Sequence, residues 1–283
     1  RWFTFHGNVK HRTIFSIDDS TVSDGDWVFA TAASTAQGVQ ALSASKGRKG
    51  YLIQDYETWE MPPSELENTY RYGMTNVVIA RWLKDKVDSV TGGNCIYIHN
   101  PVDTEKYHPD KRFVRDSNSV AILYHPGSHK GFIYAWKAIL SARKCIPGLR
   151  VNMFGTYAPP ADLPEWVTYT RKADEKDLLR IYNSSSIFVC ASVKEGYGLT
   201  CVEAMACGCA LVVTDFEGSR EYARNGENAI VVPVGDVDAI SNAMVRVLSN
   251  DNLRVSLAKA GVETARSFDW APAVKQFERV LGL

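Results

Sequence analysis

Two glutamates bracket a glycine turn in the second half of the chain. Glu195 stands just before Gly196 and Gly198, and Glu203 follows eight positions after Glu195. A turn that opens a helix leaves backbone N–H groups unpaired, and the helix dipole favours an anion there. Glycines also let that backbone approach a ligand closely. The pattern predicts that the amides bind a phosphate, while the two carboxylates accept hydrogen bonds from neutral hydroxyls such as those of a sugar.

The residues around this turn predict a strand, a helix and a second strand. Residues 187–191 are apolar, as in a buried strand, and apolar residues then recur at helical spacing over 199–207. Gly208 ends the helix, and residues 210–213 form the next strand. This places Glu203 on the first full turn of the helix. A simpler alternative is that Glu203 only complements the helix dipole and that Glu195 is a solvated loop residue.

The motifs of this region resemble the signature of glycosyltransferase family 4. They are the run E-G-Y-G-L-T-C-V-E, then A-M-A-C-G-C-A-L-V-V-T-D, and then G-S-R-E. The resemblance extends from about residue 27 to the end of the chain and is densest over 195–233. Members of this family are retaining enzymes with the GT-B fold. The resemblance therefore implies an α/β protein in which two Rossmann-like parallel-sheet domains face a cleft.

The resemblance also implies a reaction. A hexosyltransferase of this type moves a sugar from a nucleotide diphosphate sugar, of the UDP, dTDP or GDP type, to a glycan or lipid-linked acceptor in surface polysaccharide synthesis. No metal or other cofactor is required in this scheme. Residues 54–57 and 67–73 are also similar to bacterial rhamnosyltransferases that build surface polysaccharides.

Three residues carry over from the family as catalytic candidates. Glu195 would hold the sugar hydroxyls, and Lys130, in a Lys-Gly pair before a predicted helix, would reach the donor diphosphate. Lysine is a mobile point charge suited to phosphate. Asp55 follows a predicted strand where the family often has a His-Asp pair, but the residue before it is Gln54. A polar turn over residues 54–57 is the alternative for Asp55.

The remaining donor-binding candidates are loop residues at the ends of predicted strands. His125 stands five residues before Lys130, where the family has an arginine. It adds charge only when it is protonated, near a pKa of about 6.5 for an unperturbed ring, and it otherwise acts as a neutral donor. The resemblance places the donor against ten further residues, for several of them through backbone groups: Gly131, Gly155, Lys172, Gly196, Tyr197, Gly198, Leu199, Thr200, Glu203 and Gly218.

Length and composition limit the class of protein. A chain of 283 residues exceeds the usual size of one domain, and 45% hydrophobic residues suffice for a full core. The formal net charge is zero, so we expect no basic face for nucleic acid. The six cysteines mostly stand in apolar segments, which favours buried thiols in a reducing compartment.

Hydropathy predicts the location of the protein. No run reaches the roughly 18 apolar residues of a membrane span, and no signal peptide is recognised. We therefore expect a cytoplasmic protein. The resemblance leaves open a peripheral contact with the inner face of the cell membrane.

Strand and helix patterns alternate along the chain, which predicts parallel sheets. We expect an acceptor-side domain over 1–113, a nucleotide-sugar-binding domain over 114–268, and a C-terminal helix, 269–283, that crosses back to the first domain. Within the first domain, strands are predicted at 13–17, 27–31, 51–54, 77–80 and 95–99, and helices at 34–45, 64–72 and 81–90. Apolar spacing also predicts helices at 237–248, 252–266 and 270–281. Family members carry further strand-helix units and a glycine-rich loop before this point, so the first domain is expected to be incomplete. A noncatalytic nucleotide-sugar-binding subunit, or an inactive fragment, is the main alternative to an active enzyme.

Three other motifs are assigned to structure rather than function. Asp24-Gly-Asp26 precedes a predicted strand and is typical of a turn, not of a metal site. A dinucleotide oxidoreductase needs a third glycine after Gly196 and Gly198, and Cys201 stands there instead. Cys207-Gly-Cys209 lacks the spacing of a zinc site.

Overall fold

The computed structural model describes residues 7–283, which fold into two compact units. Of the described residues, the first unit contains 7–99 together with Lys275–Leu283, and the second is Asn100–Val274. Each unit has its own parallel sheet. This architecture confirms the predicted α/β class with two parallel-sheet domains.

The first unit has four strands in sequential order, all parallel. A parallel connection requires a crossover, and in this unit the crossovers are helical. Buried aliphatic side chains from the helices, including Leu66, Leu83 and Val87, pack in the core with Ile53 and Val77 of the strands. In chain order the elements are β1 (Trp27–Ala30), α1 (Ala33–Ala41), β2 (Arg48–Ile53), α2 (Pro63–Tyr70), β3 (Thr75–Val78), α3 (Arg81–Thr91) and β4 (Ile96–Tyr97).

Two expectations for this unit are corrected. The strand predicted at 13–17 is wrong, because Phe15 is fully exposed and the carboxylate of Asp18 accepts the N–H groups of Ser20 and Thr21 in a turn. The helix predicted to follow β1 is shorter than expected. It ends at Ala41, and a short 3₁₀ helix, Ala44–Lys46, follows.

The second unit has a six-stranded parallel sheet with the order β10-β9-β8-β5-β6-β7. This is a doubly wound order, in which the chain proceeds from β5 to β6 and β7 on one side of the sheet and from β8 to β9 and β10 on the other. The elements are β5 (Asp116–Leu123), α4 (Phe132–Cys145), β6 (Arg150–Gly155), β7 (Val167–Arg171), α5 (Glu175–Ser184), β8 (Ser185–Cys190), α6 (Leu199–Ala206), β9 (Ala210–Thr214), β10 (Ala229–Val232), α7 (Val237–Leu248) and α8 (Asp251–Arg266). Helix α9 (Trp270–Leu281) begins in this unit and ends in the C-terminal segment of the first.

Side chains of the central strands alternate between two buried faces. One face, which includes Val120 and Val189, packs in a single core with α4 and α7. The opposite face carries a cluster of rings, Phe154, Tyr182 and Phe188, with centroids between 5.7 and 6.5 Å apart. Burial on both faces explains why these strands are continuously apolar in sequence.

Candidate functional site

The centre of the second sheet is a topological switch point. Strands β5 and β8 are hydrogen-bonded neighbours, and the connections that leave them run in opposite directions across the sheet. In open parallel sheets, ligands bind at the carboxyl edge at such a point. Two loops leave the sheet there: the β5 loop, residues 124–131, and the β8 loop, residues 191–198.

The β5 and β8 loops are joined through their backbones. The N–H of Val193 donates to the carbonyl of His129 at 2.7 Å. Gly131 has a φ of +60°, and a Cβ at this position would lie 1.8 Å from the carbonyl oxygen of Ala191. Gly131 is therefore needed for the close approach of the two loops, and this approach brings their side chains together.

The contact between these loops includes an ion pair. Lys130 Nζ lies 3.1 Å from Glu195 Oε2, with the two side chains 25% and 10% exposed. The hydroxyl of Ser192 donates to Glu195 Oε1, and the hydroxyl of Thr214 donates to the Ser192 carbonyl at 2.6 Å. Glu195 is thus a buried carboxylate that is bonded to Lys130 and Ser192. The alternative that Glu195 is a solvated loop residue is therefore wrong. A quarter of the Lys130 side chain remains open to a ligand.

Two helices begin at the switch point without a side-chain cap. Gly131 is the N-cap of α4 and Gly198 that of α6, both with positive φ, and at neither helix start does an N-cap side chain accept a backbone N–H. By contrast, Asp174, Asp236 and Asn250 cap α5, α7 and α8. The first N–H groups of a helix have no partner within it, and an anion is favoured there. The free N–H groups at the starts of α4 and α6 can therefore donate hydrogen bonds to a phosphate.

The turn before α6 packs closely against Gly218 and Tyr222. A Cβ at Gly218 would lie 2.7 Å from the backbone of Tyr197, and the Tyr222 hydroxyl donates to the Tyr197 carbonyl at 3.2 Å. The ring of Tyr197 is buried between Tyr222 and Phe268. The prediction that Tyr197 binds the donor is therefore restricted to its backbone. Leu199 is exposed and Thr200 half-buried at the start of the helix.

His125 is fixed as a neutral ring. Its Nδ1 accepts the N–H of Gly127 at 2.9 Å, so the ring carries its proton on Nε2. Burial, together with the nearby His129 and Lys130, lowers the pKa of His125, although Glu195 acts in the opposite direction. Of the two forms considered from sequence, the structure favours the neutral donor. The ring also packs edge-on against Tyr157, with centroids 4.9 Å apart.

Gly155 and Lys172 meet at the edge of the sheet beside the β5 loop. The Lys172 N–H donates to the Gly155 carbonyl at 2.6 Å, and Lys172 has a φ of +53°. A Cβ at Gly155 would lie 2.4 Å from the carbonyl oxygen of Tyr124. The glycine thus lets β6 pack against the β5 loop, and its role in donor binding stays a prediction.

Glu203 lies on the face of α6 that contacts α5. It is the fifth residue of the helix, just past the first turn on which it was predicted, and the buried Tyr182 hydroxyl donates to its Oε2 at 3.0 Å. Burial raises the pKa of the Glu203 carboxyl, while the hydrogen bond from Tyr182 and the charge of Lys106 act in the opposite direction. Since dipole effects fade beyond the first turn, complementing the dipole is not its main role. Tyr182 was not predicted as a site residue, because it has the spacing of an ordinary core residue.

Asp55 belongs to the first unit, directly after β2. Its Oδ1 accepts the N–H of Tyr56 at 2.7 Å, so a polar turn is present there. The start of α1 is capped by two other acids: Glu57 accepts the N–H of Ala33 at 2.5 Å, and Glu60 accepts the N–H of Ser34 at 3.0 Å. These caps were not predicted, because each joins residues more than twenty positions apart. A catalytic role for Asp55 stays a prediction.

Within residues 7–283, no three side chains of His, Cys, Asp or Glu are grouped so that they could hold a metal ion. In the same range, no helix is both long and apolar enough to cross a membrane. The six cysteines are free thiols, and Cys145 is exposed.

The strand order places the chain among the doubly wound α/β proteins, with a lysine and two uncapped helix starts at the switch point of its sheet. Residues 106–264, more than half of the chain, match the family model for glycosyl transferases group 1. The chain therefore belongs to this family of glycosyltransferases.

Two curated relatives illustrate the similarity. A phosphatidyl-myo-inositol mannosyltransferase of Mycobacterium tuberculosis (strain ATCC 25618 / H37Rv) is 38% identical over 204 residues, which are 67% of this chain and 54% of that protein. An O-antigen chain mannosyltransferase B of Escherichia coli is 32% identical over 111 residues, which are 39% of this chain and 29% of that protein. The chain thus spans about half the length, or less, of these relatives.

Solved structures agree in fold. A mutant of S. aureus TarM, determined with UDP and other ligands, superposes with a TM-score of 0.78 at 11% identity, covering 94% of this chain and 57% of that chain. Anabaena Alr3699/HepE with UDP and glucose superposes with a TM-score of 0.76 at 15% identity, covering 91% of this chain and 78% of that chain. At this level of identity the likeness establishes the GT-B fold alone.

Proposed function

We propose that the chain is a retaining glycosyltransferase that moves a hexose from a nucleotide diphosphate sugar to a glycan or lipid-linked acceptor in surface polysaccharide synthesis. One observation carries the proposal: Lys130, Glu195 and the uncapped start of α6 meet at the switch point of the second sheet. This combination offers positive charge to a diphosphate and a carboxylate to sugar hydroxyls. The mannosyltransferase names of both relatives make mannose the first sugar to test.

In the proposed reaction, the bond between the anomeric carbon and the distal phosphate oxygen breaks, and the acceptor hydroxyl bonds to the same face of that carbon. The proton of the hydroxyl passes to the departing phosphate oxygen. Lys130 and the first amides of α6 stabilise the charge that develops on the diphosphate. In well-studied oxyanion sites, one such donor lowers the barrier by about 3–4 kcal/mol.

The carboxylates have separate roles in this scheme. Glu195 accepts hydrogen bonds from sugar hydroxyls, and Glu203 accepts them from the nucleoside sugar. Asp55 is retained as a catalytic candidate of the first unit. The scheme uses no metal. Free thiols suit a reducing compartment, so we propose a cytoplasmic enzyme that reaches lipid-linked acceptors at the inner face of the cell membrane.

Calorimetry with UDP, dTDP and GDP tests the donor site. We expect micromolar binding of one nucleotide and at least tenfold weaker binding after Lys130→Ala, because a charge-assisted contact is lost. Lys137→Ala, which removes an exposed lysine of α4, is the matched control. Absence of binding by all three nucleotides would contradict the proposal. Transfer is then assayed with the matching nucleotide sugars, and NMR of the product reports whether the anomeric configuration is retained.

A noncatalytic nucleotide-sugar-binding protein is the second candidate. The neutral ring of His125, where the family has an arginine, favours it, because one positive charge on the diphosphate is missing. Release of free sugar from the bound donor separates the two functions. A transferase hydrolyses its donor slowly without acceptor, and a binding protein leaves it intact.

A further inference from the structure

Two cysteine thiols lie at the two ends of the β8 loop. Cys190 is the last residue of β8, and Cys201 is the third residue of α6, so the pair flanks the loop that carries Glu195. The two thiols are hydrogen-bonded to each other. Direct contact between thiols allows a disulfide to form without a large movement of the backbone. The donor-binding scheme uses neither thiol.

The pair is connected to Glu195 through one further side chain. The Cys190 thiol donates to the hydroxyl of Ser192 at 3.4 Å, and that hydroxyl donates in turn to the carboxylate of Glu195. Thr214 holds the same segment, because its hydroxyl donates to the Ser192 carbonyl at 2.6 Å. The position of the Glu195 carboxylate is therefore sensitive to a chemical change at the Cys190 sulfur.

The two thiols differ in their access to solvent. Cys201 is fully buried, and burial raises the pKa of its thiol well above the ordinary value, so an oxidant from solvent meets little thiolate there. Cys190 is half-buried and lines a narrow cavity together with Lys130 and Glu195. A partly exposed thiol beside a cation is the usual setting of a reactive cysteine. This difference favours Cys190 as the first thiol to react, with Cys201 placed to attack the product.

We propose that Cys190 and Cys201 form a regulatory oxidation site, which hydrogen peroxide converts into a disulfide that weakens donor binding. In the first step, the Cys190 sulfur attacks one peroxide oxygen, the O–O bond breaks, water leaves, and Cys190 becomes a sulfenic acid. In the second step, the Cys201 sulfur attacks the Cys190 sulfur, the S–S bond forms, and the sulfenic hydroxyl leaves as water with the Cys201 proton. One peroxide is thereby reduced to two waters, while two thiols are oxidised to one disulfide.

The disulfide would act on both parts of the proposed donor site. It removes the proton that Cys190 donates to Ser192, and it draws the start of α6 toward the end of β8. Displacing catalytic groups by about 1 Å can cost roughly 100-fold in rate. In a reducing compartment such a disulfide is transient, which suits regulation rather than structure. The effect on donor binding rests on the proposed function, whereas formation of the disulfide does not.

Peptide mapping tests the disulfide directly. The reduced protein is treated with hydrogen peroxide, alkylated, and digested with trypsin without further reduction. Trypsin leaves Cys190 in the peptide 181–194 and Cys201 in the peptide 195–220. We expect a cross-link between these two peptides that dithiothreitol removes. Fragment spectra should assign its second sulfur to Cys201 rather than to the other two cysteines of that peptide.

Calorimetry and turnover test the consequence for the donor site. With the best-bound of UDP, dTDP and GDP, we expect peroxide to weaken binding at least tenfold and dithiothreitol to restore it. Cys190→Ser should lose this response, measured relative to its own reduced form. Cys145→Ser removes the exposed thiol at the opposite end of α4, and it should keep the wild-type response.

Cys201→Ser separates the two chemical steps. Without the second thiol, the sulfenic acid of Cys190 should persist and react with dimedone. The wild type should be labelled only weakly, because the disulfide consumes the sulfenic acid. Circular dichroism and thermal melts check that Cys201→Ser is folded.

Two results would overturn the inference. One is peroxide treatment that leaves the two wild-type peptides separate, and the other is a fully formed disulfide with unchanged nucleotide binding and turnover. Either result leaves the proposed function standing, since the reduced protein still binds nucleotide. Failure of the reduced wild type to bind any nucleotide would instead reject the proposed function, and the cross-link would then still support the oxidation site itself.

Discussion

The ammonium group of Lys130 lies 3.1 Å from the carboxylate of Glu195, although the two residues stand on different loops. Each loop follows one of the two strands at the switch point, so the pair depends on β5 and β8 being neighbours. The pair holds a cation and a hydrogen-bond acceptor side by side, as transfer from a nucleotide diphosphate sugar would require.

We expect Glu195→Gln to preserve or raise the affinity for the nucleotide but to lower the rate of transfer from the nucleotide sugar. The amide keeps the shape of the side chain but no longer neutralises Lys130, so the nucleoside diphosphate alone should bind as tightly as in the wild type or more tightly. An amide oxygen is a weaker acceptor for sugar hydroxyls, so kcat should fall about 10- to 100-fold. Calorimetry with the nucleotide and turnover with the nucleotide sugar measure the two effects. A parallel loss of both would show that Glu195 only supports the fold.

The close approach of the two loops makes Gly131 a sensitive position. In Gly131→Ala the new methyl group would meet the Ala191 carbonyl at 1.8 Å, so the loops must separate. We expect the free energy of unfolding to fall by about 2–4 kcal/mol and nucleotide binding to be lost. Urea denaturation and calorimetry check this.

Gly226→Ala is the matched control for that substitution. Gly226 has a similar φ of +79°, but a Cβ there meets nothing within 4 Å. It should cost only about 1 kcal/mol of backbone strain, with nucleotide binding intact. Equal effects of the two substitutions would contradict the steric explanation.

Local patterns predicted much of the second unit. Helices α7 and α9 have the predicted bounds, because their apolar spacing is regular, and Gly198 was recognised from its turn. Lys130 and Glu195 were each identified, but their ion pair requires the strand order, which no local pattern contains. Nonlocal contacts explain the omissions as well: Tyr182 reaches Glu203 across two helices, and Glu57 caps α1 from a distant loop.

Side-chain direction was the other unpredictable feature. Tyr197 lies between Gly196 and Gly198, whose backbone is proposed to contact the donor, yet its ring is buried against Tyr222. The prediction of a strand at 13–17 was wrong because Phe15 is exposed rather than packed on an apolar surface. The hydrophobicity of a segment does not reveal whether such a surface lies beside it.

His125 should make nucleotide binding dependent on proton uptake. Its pKa is lowered in the free protein, so the ring is neutral at pH 7, and a bound diphosphate would favour the charged form. We expect His125→Arg to tighten nucleotide binding about 5- to 10-fold at pH 7.5, because a permanent charge replaces the neutral ring. Calorimetry in buffers of different ionisation enthalpy should show proton uptake on nucleotide binding below pH 7 for the wild type and less for the variant. His129→Arg, at an exposed position, is the control, and the same gain there would point to a nonspecific charge effect.

Glu57 should make the stability of the first unit fall as pH rises. Burial raises the pKa of this carboxyl, and Glu60 and Asp55 add to the effect, although the N–H of Ala33 opposes it. A raised folded-state pKa means that the folded protein binds more protons than the unfolded chain. The stabilisation is therefore complete below the ordinary glutamate pKa of about 4.3 and is lost as pH rises through the folded-state value.

Two substitutions at Glu57 separate its charge from its cap. Glu57→Gln keeps an oxygen for the Ala33 N–H without a buried charge, so its stability should be less dependent on pH between 4 and about 7 than that of the wild type. Glu57→Ala also removes the cap and should lower the free energy of unfolding by about 1–2 kcal/mol at pH 7. Urea denaturation of the three proteins at several pH values measures both effects. If Glu57→Gln kept the wild-type pH dependence, the charge of Glu57 would not be its source; the cap would then be its only contribution, visible in Glu57→Ala alone.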